Sequence, residues 1–533
     1  MKADMIFFNG PVLTVNSQDS VESGVVVKGN RIIYVGSSAA ALAYADEKSR
    51  LVDLNGRSLI PGFIDSHLHT AVLGANTLAI DCRSPKVSSI EDIKNLVKEV
   101  AKITPKGQWI RGWGYDHSKL KEKRHPNKWD LDQVAPNHPV ILTRVCAHIS
   151  AHNSNSLALS GFTDDSPDPE GGVLDRENGF ITGVLRENAH MLALKTAQLS
   201  KEELINAMSA ANDLLIKEGI TTVHDSGGYG SIQMGAIQEA VKQNKLQLRI
   251  YTMIFSFVEN LKFVNDYLKV GIHTGFGDEK YKLGPIKLMI DGSSSGPTAA
   301  TLEPYAVNPR NSGILSMTQE QVDDIIIKSH SLGWQVTSHA VGDRAVTMIV
   351  DAIEKALIRY PRKDHRHRIE HCAMINDNLL QRIKKLGIIP IPNPIFLYEF
   401  GDGYMVNYGK ERAYKMFANK SYIEKGIIAA GSSDCPITFS NPLLNIHLAV
   451  NRETQKGQII NPDERITTKQ ALRIFTANGA YASFDEDIKG SIQVGKLADL
   501  VVLSESLLDV PPEKIKDISV DMTIIDGKIV YQK

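Results

Sequence analysis

Two histidines, His67 and His69, close the apolar run Leu59-Ile60-Pro61-Gly62-Phe63-Ile64-Asp65-Ser66. Side chains alternate between the faces of a strand, so a His-x-His pair presents both imidazoles on one side. Histidine is the commonest metal ligand. Two of them at the end of a buried strand make half a metal site; the alternative is a pair of core histidines satisfied by backbone groups. Further candidates end other apolar runs. His339 follows Val336-Thr337-Ser338, His371 follows Arg368-Ile369-Glu370, and Asp434 follows Ala430-Gly431-Ser432-Ser433. Lys287 stands inside the run Gly284 to Ile290. Histidine and carboxylate ligands suit zinc or a similar borderline divalent cation. The lysine is the informative member, because an ammonium repels a cation and burial favours the neutral amine. A neutral lysine can take up CO₂ as a carbamate that bridges two metals; the other reading is a salt-bridged or simply buried lysine. Asp434 can ligate a metal and can also take a proton from metal-bound water, whose pKa falls from about 16 to about 7. The resulting hydroxide can attack a carbonyl whose oxygen the metal polarises.

These residues form one site only if the elements that carry them converge. Apolar strand-like runs at 59–67, 219–224, 246–254, 284–290, 334–339, 366–371, 387–391 and 427–433 alternate with amphipathic helical stretches at 200–217, 231–243, 258–269, 318–332, 343–359, 376–386 and 411–425. Eight βα units predict an α/β fold, a (β/α)8 TIM barrel, whose C-terminal face carries the chemistry. Four histidines, Lys287 and Asp434 then meet on that face. The first unit is interrupted by a long stretch with a helix at 88–103, a Trp/Gly-rich segment at 109–116 and a strand at 139–145. We read residues 75–195 as an insertion after the first barrel strand, rising over the site. Both ends of the chain carry hairpins, one turning at Gly29-Asn30 and one at Asp526-Gly527. Isolated hairpins are marginal in water, so residues 1–58 and 486–533 are expected to pair as one small β-sandwich domain flanking a 59–485 barrel.

Composition narrows the function classes. The 533 residues carry 60 basic and 61 acidic side chains, a balance that gives no reason to expect a nucleic-acid or anionic-membrane partner. No apolar run approaches the ~20 residues needed to span a bilayer, and residues 1–10 lack the apolar core of a signal peptide. Four cysteines in so long a chain do not make a disulfide framework, so a cytoplasmic setting is expected.

The segment Pro61-Gly62-Phe63-Ile64-Asp65-Ser66-His67-Leu68-His69, with Lys287, His339, His371 and Asp434 at strand ends, resembles the amidohydrolase superfamily. The stretches Gly112-Trp113-Gly114-Tyr115-Asp116, Ser338-His339-Ala340-Val341-Gly342-Asp343-Arg344 and His367-Arg368-Ile369-Glu370-His371 are similar to its YtcJ-like branch, amidohydrolase family 3, which includes N-substituted formamide deformylases. The resemblance runs from about Asp4 to Val530. It implies one or two divalent metals, usually zinc, and a homodimer. One metal would be held by His67, His69, carboxylated Lys287 and Asp434, the other by that lysine with His339 and His371. Cys146-Ala147-His148-Ile149-Ser150-Ala151-His152-Asn153 departs from the family's more usual Asp-Gly-His type of segment. Candidates to line the substrate pocket are Asp116, His148, Glu187, His224 and Asp291; Glu370 is expected to orient ligands or brace strands. The expected activity is hydrolysis of an amide-type C–N bond of a small molecule, with Asp434 as general base and acid. A deaminase or lactonase on the same site, or a catalytically silent binding protein, are the alternatives.

Overall fold

The computed structural model describes residues 2–257 and 259–533. Seven parallel strands form one sheet that curls into a barrel: β1 (Phe63–Leu68), β2 (Ile220–Asp225), β3 (Arg249–Ile254), β4 (Tyr281–Met289), β5 (Val336–Ala340), β6 (Arg368–His371) and β7 (Ile389–Ile391), neighbours in that order. Parallel strands covered on both faces are buried throughout, and β1, β2 and β3 are buried at every position. Helices pack around them. Lys201–Lys217 begins with a capping box between Ser200 and Glu203 and turns Leu204, Met208, Ala211 and Leu215 inward. Thr318 and Gln321 make the same box for Gln319–Ser331.

The expected eighth strand is not a regular strand. Residues 430–435 close the ring as an extended, kinked segment. Ala430 and Ser432 donate backbone hydrogen bonds to Pro390 and Pro392, while Gly431 accepts from Ser66 and Asp434 donates to His67. Side chains give the reason. A Cβ at Gly431 would lie 2.6 Å from the Phe475 ring, and Asp434 sits at φ +59°, where no strand can continue. The first strand also differs from expectation. Leu59–Pro61 pairs with Leu500–Leu503 and Val12–Leu13, and only beyond Gly62 does the chain enter the barrel. A side chain at Gly62 would strike Thr221 of β2 at 2.2 Å. The helix expected over 411–425 is two short ones, Lys410–Tyr414 and Asn419–Glu424, preceded by an unexpected helix, Ile395–Asn407. The helix expected over 258–269 is described as Asn260–Tyr267; Val258 and Met1 lie outside the described residues.

Three further sheets flank the barrel. A four-stranded sheet (Arg31–Gly36, Gly24–Lys28, Met5–Phe8, Arg50–Asp53) and a six-stranded sheet joining both ends of the chain share one core, with Phe7, Val25, Val27, Leu500, Val502 and Ile524 inside. Both expected terminal hairpins are present, with Asp526 and Gly527 at positive φ in the second turn. Between β1 and β2 in the chain, six strands from Ile80–Asp81 to Phe180–Glu187 form another sheet, backed by the helix Ile90–Ile103. No helix among the described residues is long and apolar enough to cross a membrane.

Arg249, at the start of β3 and buried, ties the barrel to the C-terminal strands. Its Nε and Nη2 donate to Asp499 at 2.6 and 3.0 Å, and Nη2 also pairs with Asp526. Bidentate pairing of this kind is geometrically specific, and removing one partner strands a buried charge at a cost of about 3–5 kcal/mol. Arg249→Met should therefore lower unfolding free energy by about that amount in chemical denaturation; a loss below about 1 kcal/mol would show that the clamp is dispensable.

Candidate metal centre

The C-terminal ends of the barrel strands bring the six expected residues together. His67 lies on β1, and His69, one residue beyond it, begins the helix Thr70–Leu78. Lys287 is on β4, His339 on β5 and His371 at the end of β6. Asp434 comes from the closing segment. Pairing of Met289 with His339 and of Ala340 with His371 sets the register that levels these ends.

Asp434 Oδ1 lies 3.3 Å from His67 Nε2 and 3.6 Å from His69 Nε2. These three side chains offer ligand atoms all within 4.8 Å of one another. Lys287 Nζ is 3.4 Å from His67 Nε2. The His371 ring is 5.0 Å from that of His67 and 4.5 Å from that of His339. Each imidazole has its other nitrogen tied down by an acceptor. His67 Nδ1 donates to Glu370 Oε2 (2.5 Å), His69 Nδ1 to the Gly227 carbonyl (2.7 Å) and His371 Nδ1 to Asn393 Oδ1 (2.8 Å). His339 instead donates Nε2–H to the Gly292 carbonyl at 3.1 Å. These bonds fix the tautomers and leave lone pairs on Nε2 of His67, His69 and His371 and on Nδ1 of His339, that of His67 facing the Lys287 amine. Four imidazole lone pairs and a carboxylate are a donor set that fits one or two borderline divalent cations.

Buried carboxylates hold this arrangement. Glu370 accepts from Arg368 (2.9 and 3.0 Å) and from Thr337 Oγ1 (2.6 Å) as well as from His67. Arg368 also donates to the Ser66 carbonyl at 2.6 Å. Asp65, two residues before His67 and so on the same face of β1, accepts from Ser433 Oγ (2.5 Å) and from the amides of Ser433 and His67. It thereby ties β1 to the closing segment beside Asp434.

Burial sets the electrostatics. It pushes His67, His339 and His371 well below the usual imidazole range and His69 down to about 3, so all four imidazoles are neutral. It also pushes Lys287 down and Asp434 up, each partly offset by opposite charge nearby. His371, Cys372 and Asp434 all stand at positive φ. Strain of this kind clusters at functional sites and costs about 1–3 kcal/mol per residue.

A cavity of about 70 Å³ adjoins these residues, lined also by Phe255, Phe257, Phe396, Phe400, Cys146, Ala147 and His148. A larger space of about 790 Å³ adjoins it and reaches Glu187, Leu261 and Met317. Of the pocket candidates, His148 and Glu187 line this space and bond to each other. Asp291 lines the larger space too, but its carboxylate is caged by the amides of Ala300, Val341 and Gly342. Asp116 and His224 do not line either cavity. Asp116 binds Arg144 and Ser118 in the 80–187 sheet region, and His224 lies inside the barrel, accepting from Arg368 at 2.9 Å. Sequence reasoning overlooked Asn393, whose Pro-Asn-Pro setting after β7 was the available signal, and the wall residues Phe255, Phe257 and Met191, which nothing in the sequence distinguishes from core.

Comparison with known proteins shows what the whole chain is similar to. The family model described as the amidohydrolase family matches residues 50–531. The putative amidohydrolase YtcJ of Bacillus subtilis is 31% identical over 100% of both chains. The N-substituted formamide deformylase of Arthrobacter pascens is 28% identical over 99% of this chain and 98% of its own. An uncharacterized metal-dependent hydrolase from Pyrococcus horikoshii has a similar structure, with a TM-score of 0.79 at 26% identity over 95% of this chain and 99% of that one.

Partners that orient a ligating histidine are worth about 10–100-fold in metal affinity. Glu370→Gln should weaken divalent-metal retention by about that factor in chelator competition. Unchanged affinity would mean that the carboxylate does not set the tautomer of His67.

Proposed function

This chain belongs to the amidohydrolase family, and on that premise we propose that it is a metal-dependent hydrolase that cleaves an amide-type C–N bond of a small molecule. The observation that carries the reading is the convergence of Asp434 with His67 and His69 at a cavity among the barrel strand ends. His67, His69 and Asp434 would hold one divalent ion, and His339 and His371 a second, with Lys287 between them; zinc suits the donor set. A cation bound there supplies a Lewis acid that polarises the acyl group and makes water acidic enough to give up a proton. Asp434 takes that proton as general base and releases it as the C–N bond breaks. The upward push of burial on its pKa suits a group that must both accept and release. A cavity of about 70 Å³, about two waters' worth of space, suits a small acyl group, and the adjoining space suits a larger nitrogen substituent. The deformylase relative, named for N-substituted formamides, fits such a division.

Lys287 is taken to be carboxylated. Its amine is buried, its nearest hydrogen-bond partners are His67 Nε2 at 3.4 Å and the Ser226 carbonyl at 3.5 Å, and the Phe255 ring lies 4.9 Å away. Burial favours the neutral amine, the form that adds to CO₂ with loss of a proton. In the same reading the two terminal sheets make a β-sandwich domain, residues 75–195 are an insertion that roofs the site, and four free thiols suit a reducing cytoplasm. A homodimer is carried over from the family resemblance.

Two measurements test this. Across a panel of N-formyl and N-acetyl amines, aminopurines and lactones, the metal-loaded protein should release amine from the acyl amides. Asp434→Asn should lower kcat by about 100–10,000-fold with the thermal midpoint kept; near-normal turnover would remove Asp434 from the chemistry. Carbon-13-labelled bicarbonate should give a carbamate resonance that Lys287→Ala abolishes, and activity lost in that variant should return partly with small carboxylates. No resonance, with full metal content in Lys287→Ala, would contradict carboxylation.

A further inference from the structure

In the hydrolase reading Asp434 releases its proton as the C–N bond breaks, and the route of that proton to the leaving nitrogen is left open. An amide nitrogen leaves only if it is protonated as the C–N bond breaks, so a proton donor must stand where that nitrogen passes. A substrate with its acyl group in the small cavity and its substituent in the larger one crosses the wall common to both. That wall is made of His148, Met191, Phe255, Phe257, Lys287 and Met289. Lys287 belongs to the metal centre. His148 is the other titratable member.

We propose that His148 donates the proton to the leaving nitrogen and that Glu187 positions it to do so, an assignment that rests on the hydrolase reading. His148 occupies the turn between the strands Val140–Arg144 and Ile149–His152. Its Nδ1–H donates to Glu187 Oε2 at 2.8 Å, and the Glu187 amide donates to the His148 carbonyl at 2.9 Å. Nε2 has no hydrogen-bond partner among the described residues, so it is the free edge of the ring. Glu187 holds this grip at φ +49° and ψ −121°, a conformation that a non-glycine residue keeps only where its surroundings over-determine it. Met191, on the helix Asn188–Leu194 that Glu187 begins, lies on the same wall. Burial pushes the imidazole towards the neutral form, while the hydrogen bond and charge of Glu187, with smaller contributions from Cys146 and Asp434, favour the protonated ring. As the C–N bond breaks, its electron pair goes to nitrogen, which takes the Nε2 proton; His148 keeps Nδ1–H on Glu187. The proton that Asp434 took from water replaces it, directly or through solvent, and one water is consumed per bond cleaved.

The test uses metal-loaded protein and N-formyl amines graded in leaving-group basicity, from an alkylamine to a nitroaniline. A weakly basic aniline needs little protonation in order to leave. His148→Gln should lower kcat by about 100–1,000-fold for the alkylamine and by less than about 10-fold for the nitroaniline, with metal content and thermal midpoint unchanged. Glu187→Gln should give a smaller loss with the same trend. An equal loss across the series, or no loss, overturns the assignment while leaving the hydrolase reading intact. A wild type inactive on the whole series overturns the hydrolase reading and this assignment with it.

Discussion

The carboxylate of Glu370 is the fixed point of the site. It is wholly buried, and an unpaired charge there would cost several kcal/mol. Arg368, two residues earlier on the same face of β6, meets it in a fork, and Thr337 and His67 complete its lone pairs. The bond to His67 decides which ring nitrogen faces the cavity. The same arginine reaches the Ser66 carbonyl and His224, so β1, β2, β5 and β6 are bound to one another through one ion pair in the barrel interior.

Around that fixed point the barrel is irregular where the chemistry is. Seven positions are strands, with register shifts between β1 and β2 and between β3 and β4; the eighth is a kinked segment whose hydrogen bonds still reach both neighbours. The kink is what lets Asp434 turn its carboxylate towards His67 and His69 instead of following the alternation of a strand. Asp65 and Ser433 hold the kink in place. The unfavourable backbone at His371, Cys372 and Asp434 is tolerated because buried hydrogen bonds on every side leave those residues no alternative.

The convergence of His67, His69, Lys287, His339, His371 and Asp434 was legible in the sequence because it depends on strand alternation and on where apolar runs end. His67 and His69 share a face by that rule, and His339, His371 and Lys287 lie at strand ends as their runs suggest. Alternation failed where a glycine broke a run. Leu59 to Leu68 reads as one strand but belongs to two sheets, because the close approach of Thr221 at Gly62 redirects the chain. The closing segment reads as a strand because Ala430 and its neighbours are apolar or small, yet Gly431 is pressed on Phe475 and Asp434 cannot continue. His224 was expected to line the pocket, but its ring turns into the barrel to meet Arg368, a contact between residues far apart in the chain that no local pattern encodes. Asp116 was misplaced for the same reason: its partner Arg144 comes from another strand.

The central claim is that these side chains converge on one metal-binding point. Anomalous diffraction from crystals of the metal-loaded protein, collected at the absorption edge of zinc, addresses it directly. The account predicts a peak bounded by His67 Nε2, His69 Nε2 and Asp434, with any second peak next to His339 and His371. Metal bound only elsewhere on the protein, or a fully metal-loaded crystal with no peak among these residues, would contradict it.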